Sequence, residues 1–408
     1  MAGTLLLLLL SLSITTNLFN NALAANPSHD FLQNNLGDSD FNIGGKSIFD
    51  DSNDVLDCPS VICRESGKAT FLIVFGDSLF DVGFGIEELC LPSNYTPYGQ
   101  KLNKFGRFSD GRTIPDFIAE YVFGAEERLV KPYSCDLTKT ESQFKENNRT
   151  LSFARAGAGV LEGISKETDK NTGRTLEEQV ELFVKLNDTI KLFGEDSKRK
   201  EETLYLISIG AFDYLREIAN KTQNGIDPTE VVNKIVDAVR NIAAKGGRRF
   251  AFMNIGPLRY YPIVQKLNLD EKTLGELDRL VEQHNKELKA KLPKTLKDSK
   301  YSYSILDYHS IIKNIMENPD SYGFDIHTIK SACCGWGPFK AYSCGSLDKV
   351  GCGEHSIEDY VFFDGMHHTE HINHLLAKIF WNSNELASPK NLKSIAGLEK
   401  IEFDFPGF

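Results

Sequence analysis

The sequence predicts an α/β protein in which a parallel β-sheet is flanked by helices. From about residue 69 onward, short runs rich in β-branched, leucine and aromatic residues alternate with amphipathic helical patterns. Several of these runs end at Gly or Asp, as strands do where a parallel sheet opens its ligand crevice. The chain has 408 residues, of which 41% are hydrophobic and 25% charged, so it holds enough apolar material for a substantial core. This length is compatible with one enlarged domain or with two or three smaller ones.

Five strands are predicted, at residues 70–75, 151–154, 203–209, 249–254 and 301–306. Two helices between them have the clearest boundaries. One begins after Asp227, an N-cap residue followed by Pro228 and Glu230, and ends at Gly246. The other covers 274–292, where apolar residues recur at helical spacing.

Residues 1–24 have the pattern of a secretory signal peptide. An apolar run from Leu5 to Leu10 is followed by small residues that predict cleavage near Ala24, and the run is too short to span a bilayer. The first four residues lack the usual Lys or Arg, so an uncleaved anchor or an amphipathic helix is the alternative. The signal peptide predicts a protein that is secreted or held in the vacuole or another endomembrane lumen.

The rest of the chain divides into three predicted parts. Residues 25–68 form an Asp-rich segment with little apolar material to offset the entropy of ordering, so we expect it to be flexible. The folded domain is predicted over 69–390 and a C-terminal tail over 391–408. The net charge of −11 argues against a nucleic-acid surface, and no later stretch has the length and hydropathy of a membrane span.

Two further patterns fit an oxidising compartment. Four Asn-x-Ser/Thr sequons predict N-glycosylation at Asn94, Asn148, Asn187 and Asn220, although Pro97 is unfavourable for the first. An even number of cysteines remains after signal removal, which favours disulfides but does not choose among the possible pairings. A zinc site is disfavoured because no two CxxC pairs have the usual separation. The cysteines are Cys58, Cys63, Cys90, Cys135, Cys333, Cys334, Cys344 and Cys352.

A candidate nucleophile follows the first predicted strand, in the sequence Phe75-Gly76-Asp77-Ser78-Leu79. A serine directly after a buried strand lies at the carboxyl edge of the sheet, where the backbone N–H groups of a following helix can face a developing oxyanion. An ordinary turn or helix N-cap at Asp77 and Ser78 is the alternative interpretation. The residues do not form the G-x-S-x-G elbow of the α/β-hydrolases.

A possible base lies near the other end of the chain, in Asp364-Gly365-Met366-His367. A serine hydroxyl needs an imidazole to take its proton, and the imidazole needs an acceptor to hold its tautomer and stabilise its cation. An Asp three residues before a His can meet the imidazole within one tight turn. Asp364 and His367 therefore complete a Ser-His-Asp set with Ser78, provided that the fold brings the two ends together.

Five of the nine histidines fall within twenty residues, namely His355, His367, His368, His371 and His374. This density raises the alternative of a metal-binding tract, but there is no HExxH motif and no carboxylate at a convincing ligand spacing. We expect no metal and no cofactor. His371 and His374 are predicted to lie on a solvent-facing helix, and His368 to have a supporting or surface role.

These motifs resemble the plant GDSL esterase/lipase family of the SGNH hydrolase superfamily. The resemblance rests on Phe75 to Leu79 and on Asp364-x-x-His367, and it extends from about Phe71 to Trp381. Further matching blocks are Gly106 to Arg112, Gly256-Pro257-Leu258, His284-Asn285, and Tyr322-Gly323-Phe324 leading to Ala332-Cys333-Cys334-Gly335. The sequences of two segments, Ile209 to Tyr214 and Phe362 to Gly365, are similar to those of the myrosinase-associated and epithiospecifier-modifier branch of the family.

The resemblance implies a three-layer, flavodoxin-like α/β/α domain with a mostly parallel five-stranded sheet. It also implies that Ser78 is the nucleophile, His367 the base and Asp364 its orienting partner. The implied oxyanion hole consists of the Ser78 N–H, the Gly157 N–H and an Asn side chain. This sequence carries Phe212 where the family has that Asn, so one donor is missing.

Three functions remain open on this basis. The first is a secreted serine esterase or lipase that acts on a small-molecule ester through an acyl-enzyme. The second is a catalytically weak defence protein that binds a myrosinase-type glycosidase or a hydrophobic metabolite. The third is an acyltransferase that uses the same acyl-enzyme with an alcohol in place of water.

Overall fold

The computed structural model describes residues 42–43, 46–47, 68–84, 92–134, 137–145, 148–161, 175–193, 197–220, 225–342, 344–345, 352–353 and 355–398. The predicted signal peptide at 1–24 lies outside this set. The predicted Asp-rich segment is described only at residue 68 and in a short antiparallel pair, Asn42–Ile43 with Lys46–Ser47.

Six strands in the described part of the chain form one sheet. They are β1 (Phe71–Gly76), β2 (Thr150–Ser152), β3 (Thr203–Ser208), β4 (Arg249–Met253), β5 (Ser302–Leu306) and β6 (Ala387–Ser388). The order is β2-β1-β3-β4-β5-β6, and only β6 runs antiparallel to its neighbour. All five predicted strands are present, but the sheet has six strands rather than five. The two residues of β6 are followed by Pro389, so the sequence carries no periodicity that could reveal them.

The strand order puts β1 and β3 side by side, with β2 on the far side of β1 and β4 on the far side of β3. Gly76 at the end of β1 pairs with Ser208 at the end of β3. In a flavodoxin-like order the crossovers from these two strands diverge, so a crevice opens beyond their carboxyl ends. The candidate nucleophile follows β1 directly, and Phe212 lies four residues after β3 ends. The topology therefore brings these two segments to one edge of the sheet.

Helices cover both faces of the sheet, because strands buried on both faces need apolar partners on each. The helices are α1 (Ile114–Phe123), α2 (Leu137–Lys145), α3 (Leu176–Ile190), α4 (Ser197–Glu201), α5 (Ala211–Asn220), α6 (Pro228–Ala244), α7 (Pro262–Gln265), α8 (Glu271–Thr295), α9 (Tyr308–Glu317), α10 (Glu370–Asn382) and α11 (Leu392–Ile395). One group consists of α3, α6 and α8, with α6 between the other two, and a second group consists of α1, α10 and α11. This is the predicted three-layer α/β/α arrangement.

The two helices with clear sequence boundaries are confirmed. Helix α6 begins where predicted, since the Asp227 carboxylate accepts a hydrogen bond of 2.8 Å from the Thr229 N–H. Helix α8 begins three residues earlier than predicted, because Asp270 is its N-cap and accepts 2.8 Å from the Thr273 N–H. The spacing of apolar residues did not indicate this start, because the first turn of α8 is polar.

The described fold continues past residue 390, where the folded domain was expected to end. Leu392 on α11 is fully buried. The Ala396 carbonyl accepts 2.8 Å from the Ala69 N–H, and the Ile395 carbonyl accepts 3.3 Å from Arg249 Nη1. These contacts join the two ends of the described body, so the packed structure reaches at least Leu398.

The described residues contain neither a membrane-crossing helix nor a cluster of metal ligands. No helix there combines the length and the apolar composition that crossing a bilayer requires. Nor do three or more His, Cys, Asp or Glu side chains in the same part of the chain lie together as metal ligands would.

Candidate active site

The loop after β1 is held in a tight turn that presents Ser78 at the sheet edge. The Asp77 carbonyl accepts from the Phe80 and Asp81 N–H groups at 3.1 and 3.0 Å. A Cβ on Gly76 would lie 2.4 Å from the Ser208 carbonyl oxygen of β3, so only glycine lets the strands meet here. Ser78 itself is half-buried and points its hydroxyl toward the crevice.

Gln179 on α3 clamps the same turn and was missed by the sequence analysis. Its Oε1 accepts 2.9 Å from the Gly76 N–H, and its Nε2 donates 2.8 Å to the Gly76 carbonyl. Gln179 is fully buried. A polar residue beside Leu176 and Val180 on the apolar face of the helix was the available signal.

Residues 364–367 form a second turn that meets the first. His367 Nε2 lies 2.7 Å from Ser78 Oγ, and His367 Nδ1 lies 2.7 and 2.8 Å from the two Asp364 oxygens. The Asp364 carboxylate also accepts from the backbone N–H groups of Met366 and His367, each at 2.8 Å. Burial raises the pKa of Asp364, but the His367 ring and these donors outweigh that effect, so its pKa is lowered.

The fold therefore brings Ser78, His367 and Asp364 into one continuous chain of hydrogen bonds. An ionised Asp364 holds a proton on His367 Nδ1, which leaves Nε2 as the acceptor that faces the serine hydroxyl. Such a chain can take a proton from the hydroxyl as the serine attacks and can return that proton to a leaving group.

Tyr98 also contacts this chain of hydrogen bonds, and no sequence motif predicted that contact. Its hydroxyl donates to Asp364 Oδ2 at 2.5 Å, and the residue is buried. Burial, and then the negative charge of Asp364, raise the pKa of Tyr98 well above its usual value, so the hydroxyl keeps its proton.

The loop that carries Gly157 lines the same cleft as Ser78. Two buried carboxylates shape this loop: Asp81 accepts 2.7 Å from the Ala156 N–H, and Asp213 accepts 2.9 Å from the Val160 N–H. Gly157 has φ +75°, in the left-handed region that favours glycine. Asp213 is the neighbour of Phe212, so the first turn of α5 both holds the loop and places the benzyl group beside it.

Ser78, Gly157, Phe212 and His367 line one cleft that is partly open to solvent. The rest of its lining is mainly apolar and consists of Asp77, Leu79, Ala211, Leu215, Leu258, Tyr261 and Met366. A cleft of this kind favours the apolar part of a ligand and leaves few groups to bind a charged one.

His368 is buried, so a surface role for it is excluded. Its Nδ1 lies 3.0 Å from the Val361 carbonyl, and its Nε2 lies 2.6 Å from the Tyr308 hydroxyl, which in turn lies 2.6 Å from the Tyr261 hydroxyl. Burial lowers the pKa of His368 to about 4, so the ring is neutral near pH 7. A neutral ring must carry its proton on Nδ1, because a carbonyl can only accept. His368 therefore supports the wall of the cleft.

The other histidines of the cluster lie elsewhere. His371 is half-buried on α10, whereas His374 is exposed on the same helix and stacks on Phe117 with 4.6 Å between ring centroids. The solvent-facing prediction therefore holds for His374 and only in part for His371.

Arg107 belongs to the Gly106 to Arg112 block, which does not line the cleft, and it has a structural role. Its guanidinium is fully buried and makes two bonds of 2.7 Å to Asp116, and it also donates to the Val82 and Val130 carbonyls. Arg107 thereby ties the segment after the nucleophile turn to helix α1. Removing one partner of such a buried pair leaves an uncompensated charge.

His284 and Asn285 on α8 have a similar supporting role. Asn285 accepts 2.9 Å from the Ile255 N–H and donates 2.8 Å to the Ile255 carbonyl. His284 Nδ1 lies 2.9 Å from the Tyr214 hydroxyl, and burial lowers the pKa of this histidine to about 3. The Asn285 contacts hold the loop after β4, which precedes Leu258 and Tyr261 in the cleft, and the His284 contact joins α8 to α5.

Two disulfide bonds occur among the described cysteines, Cys333–Cys352 and Cys334–Cys344. The N–H groups of Cys333 and Cys334 donate to the Phe362 and Phe363 carbonyls at 2.9 and 2.7 Å. The disulfide-bonded segment therefore backs the turn that begins at Asp364. The other four cysteines lie outside the described residues, so their pairing stays a prediction. They are Cys58, Cys63, Cys90 and Cys135.

The predicted glycosylation sites lie in varied settings. Asn94 ends a short 3-10 turn, Asn148 precedes β2, Asn187 lies within α3, and Asn220 ends α5. Their glycosylation stays a prediction.

Asp77 beside the nucleophile gives a testable pH dependence. Burial raises its pKa from 3.8 to about 7, so the folded protein holds this proton more tightly than the unfolded chain does. Stability from this group is full below about pH 4 and falls as the pH rises through about 7. In Asp77→Asn the amide oxygen can still accept from the Leu79 N–H but cannot ionise.

We therefore expect the stability of Asp77→Asn, relative to the parent, to rise by about 2 kcal/mol or more between pH 5 and pH 8. Denaturant unfolding of both proteins at the two pH values measures this difference, in which the other titrating groups largely cancel. Parallel pH dependence in the two proteins would show that Asp77 is already ionised at pH 5.

Comparisons with known proteins agree with this architecture. The family model "GDSL-like Lipase/Acylhydrolase" matches residues 72–380. A "GDSL lipase" of Tanacetum cinerariifolium is 32% identical over 344 residues, which cover 82% of this chain and 89% of the relative. "GDSL esterase/lipase 2" of Arabidopsis thaliana is 32% identical over 368 residues, covering 82% and 93%. An "Inactive GDSL esterase/lipase-like protein 25" of Arabidopsis thaliana is 29% identical over 338 residues, covering 80% and 75%.

The family model spans most of the chain and includes both turns that form the site. The two relatives at 32% identity are matched over most of their own length as well. On this evidence the chain belongs to the GDSL-like lipase/acylhydrolase family, a family of carboxylic ester hydrolases.

Proposed function

We propose that this protein is a secreted serine esterase that cleaves a lipophilic carboxylic ester through an acyl-enzyme on Ser78. The observation that carries the proposal is the hydrogen-bond chain from Ser78 through His367 to Asp364, which opens onto an apolar cleft. An exposed turn or helix cap would not require a buried imidazole and carboxylate behind its serine.

In the proposed reaction Ser78 Oγ attacks the ester carbonyl while His367 Nε2 takes the hydroxyl proton. The tetrahedral intermediate collapses as His367 returns that proton to the leaving alcohol oxygen, which leaves the acyl group on Ser78. Water then repeats the sequence and releases the acid. Asp364 holds the His367 tautomer and stabilises the transient imidazolium.

The proposed oxyanion donors are the backbone N–H groups of Ser78 and Gly157. Phe212 lines the same cleft. The family resemblance implies that it replaces an Asn, and a benzyl group cannot donate a hydrogen bond. Loss of one such donor costs about 10²- to 10³-fold in turnover, so we propose a slow esterase rather than an inactive one.

Phe212 also favours a second candidate function. The chain could be a catalytically weak protein that binds a hydrophobic metabolite or a myrosinase-type glycosidase, with the cleft kept as a binding site. One relative carries the word "Inactive" in its name, so the family includes a protein described in that way. The two functions differ in whether Ser78 is reactive.

Secretion and glycosylation belong to the same proposal. The leader pattern at 1–24, the four sequons and the two disulfide bonds all fit a route through an oxidising compartment. Intact-mass analysis of protein secreted from a plant host, before and after glycosidase treatment, tests both points.

A fluorophosphonate probe tests the reactivity of Ser78, because only an activated serine is modified. We expect mass spectrometry to find the adduct on the peptide that contains Ser78, and Ser78→Ala to abolish labelling. The Ser208→Ala variant is the matched control, since Ser208 lies at the end of the adjacent strand and outside the hydrogen-bond chain. No adduct between about pH 6 and pH 9 would favour the binding protein, whereas an adduct on another serine would count against Ser78 as the nucleophile.

A further inference from the structure

Tyr98 reaches the catalytic carboxylate from a segment distant in the chain. Its hydroxyl donates 2.5 Å to Asp364 Oδ2, while the two backbone donors of the turn bind Asp364 Oδ1. Among the described contacts, Asp364 Oδ2 therefore has two partners, the Tyr98 hydroxyl and His367 Nδ1. That oxygen lies 2.7 Å from His367 Nδ1.

The segment that carries Tyr98 is held firmly. A Cβ on Gly99 would lie 1.8 Å from the Lys104 carbonyl oxygen, and Gly99 has φ +64°, so the turn after Tyr98 requires glycine. The Gly99 N–H donates 2.8 Å to the Ser109 carbonyl, and the Asp110 carboxylate accepts 2.7 Å from the Glu370 N–H. The same segment is thus tied to the start of α10, just after His367.

Aromatic contacts connect Tyr98 to the imidazole of His367. Tyr98 makes edge contacts with Phe363 and Phe108, at centroid distances of 5.1 and 5.8 Å. Phe108 in turn lies 4.8 Å from the His367 ring. One segment therefore supplies a hydroxyl to the carboxylate and a ring to the imidazole.

We propose that Tyr98 is a positioning residue whose hydroxyl fixes the rotation of the Asp364 carboxylate and withdraws part of its negative charge. A hydrogen bond to Oδ2 competes with His367 for the same oxygen, so it weakens the hold of Asp364 on the imidazolium proton. Removal of the hydroxyl should therefore strengthen the hold of Asp364 on that proton. The inference rests on the proposed esterase function.

Other titratable groups face His367 and must be considered in a pH experiment. Asp77 lies in the nucleophile turn and His368 follows in the chain, and both interact electrostatically with His367. Neither is changed by a substitution at Tyr98. A difference between the parent and a Tyr98 variant therefore reports the lost hydroxyl.

The test is Tyr98→Phe, which removes one oxygen and keeps the ring packing. We expect the acid limb of the pH profile of kcat/KM to move up by about half to one pH unit, and kcat to fall about three- to tenfold. The matched control is Tyr360→Phe, which removes another buried tyrosine hydroxyl in the same aromatic cluster, one that donates 2.8 Å to the Cys352 carbonyl. Tyr360→Phe should lower the melting temperature without moving the acid limb.

NMR titration of the His367 ring in histidine-labelled protein supplies a readout that needs no turnover. We expect its midpoint to rise in Tyr98→Phe and to stay at the parent value in Tyr360→Phe. If Tyr98→Phe fails to fold, parent protein containing 3-fluorotyrosine replaces it, and its more acidic phenol should move the midpoint down.

The outcomes separate this inference from the proposed function. A shifted titration in a protein without a reactive Ser78 would refute the esterase and retain the role of Tyr98. A reactive Ser78 with an unchanged titration, or an equal shift in Tyr360→Phe, would overturn the positioning role and retain the esterase.

Discussion

Replacing His367 by alanine is expected to lower kcat by at least about 10³-fold on any ester that the parent hydrolyses. His367 Nε2 lies 2.7 Å from Ser78 Oγ and is the acceptor in line for its proton. Without the imidazole, the serine must lose its proton to water, and the leaving alcohol has no acid. Steady-state kinetics with a series of esters of increasing acyl length measures the loss.

His368→Ala is the informative comparison for this variant. His368 adjoins His367 in the chain, but its ring bonds to the Val361 carbonyl and the Tyr308 hydroxyl instead of to the nucleophile. We expect His368→Ala to retain most of the turnover while its melting temperature falls, because the Val361 carbonyl and the Tyr308 hydroxyl each lose one hydrogen bond. Equal loss of kcat in two well-folded variants would mean that the cluster as a whole, rather than His367 alone, takes part in catalysis.

Phe212→Asn is expected to raise turnover by up to about 10²-fold. Phe212 lies in the first turn of α5 and lines the same cleft as Ser78 and Gly157. An amide N–H about 3 Å from the developing oxyanion would stabilise charge that the ester ground state lacks, so the gain should appear in kcat. KM is expected to rise at the same time, since the apolar contact with the ester is lost.

Phe212→Leu provides the control, since it shortens the side chain without adding a donor. A gain in Phe212→Asn alone would identify hydrogen bonding as the cause, whereas a gain in both variants would indicate relief of steric exclusion. Circular dichroism and melting temperatures must show that both variants fold, because either change leaves space in the cleft wall. Unchanged or lower turnover in folded Phe212→Asn would make the binding-protein hypothesis the better one.

Much of the architecture was predictable because its signals are local. The five parallel strands are short apolar runs bounded by loops, and Asp227 and Pro228 mark the start of α6 without help from the rest of the chain. The sixth strand was missed because two residues before a proline carry no pattern. The early start of α8 was missed because its first turn is polar and only the Asp270 cap defines it.

The candidate site shows the same division. The sequence alone determined which residue types are available for acyl chemistry, namely a serine after a buried strand and an Asp-x-x-His turn, whereas Phe212 in place of a donor is implied only by the family resemblance. The contact between the Asp364 carboxylate and the His367 ring was predictable, because only three positions in the chain separate the two residues.

Only the tertiary structure decided which distant groups meet. The strand order places the ends of β1 and β3 together, and the turn at residues 364–367 then brings His367 to Ser78 across 289 residues of chain. The contact of Tyr98 with Asp364 and the choice of cysteine partners have no local signal, and the polar Gln179 on an apolar helix face does not by itself identify Gly76 as its partner. Their roles depend on distance and direction after packing, because a hydrogen bond or a disulfide forms only between atoms that the completed fold holds within a few ångströms.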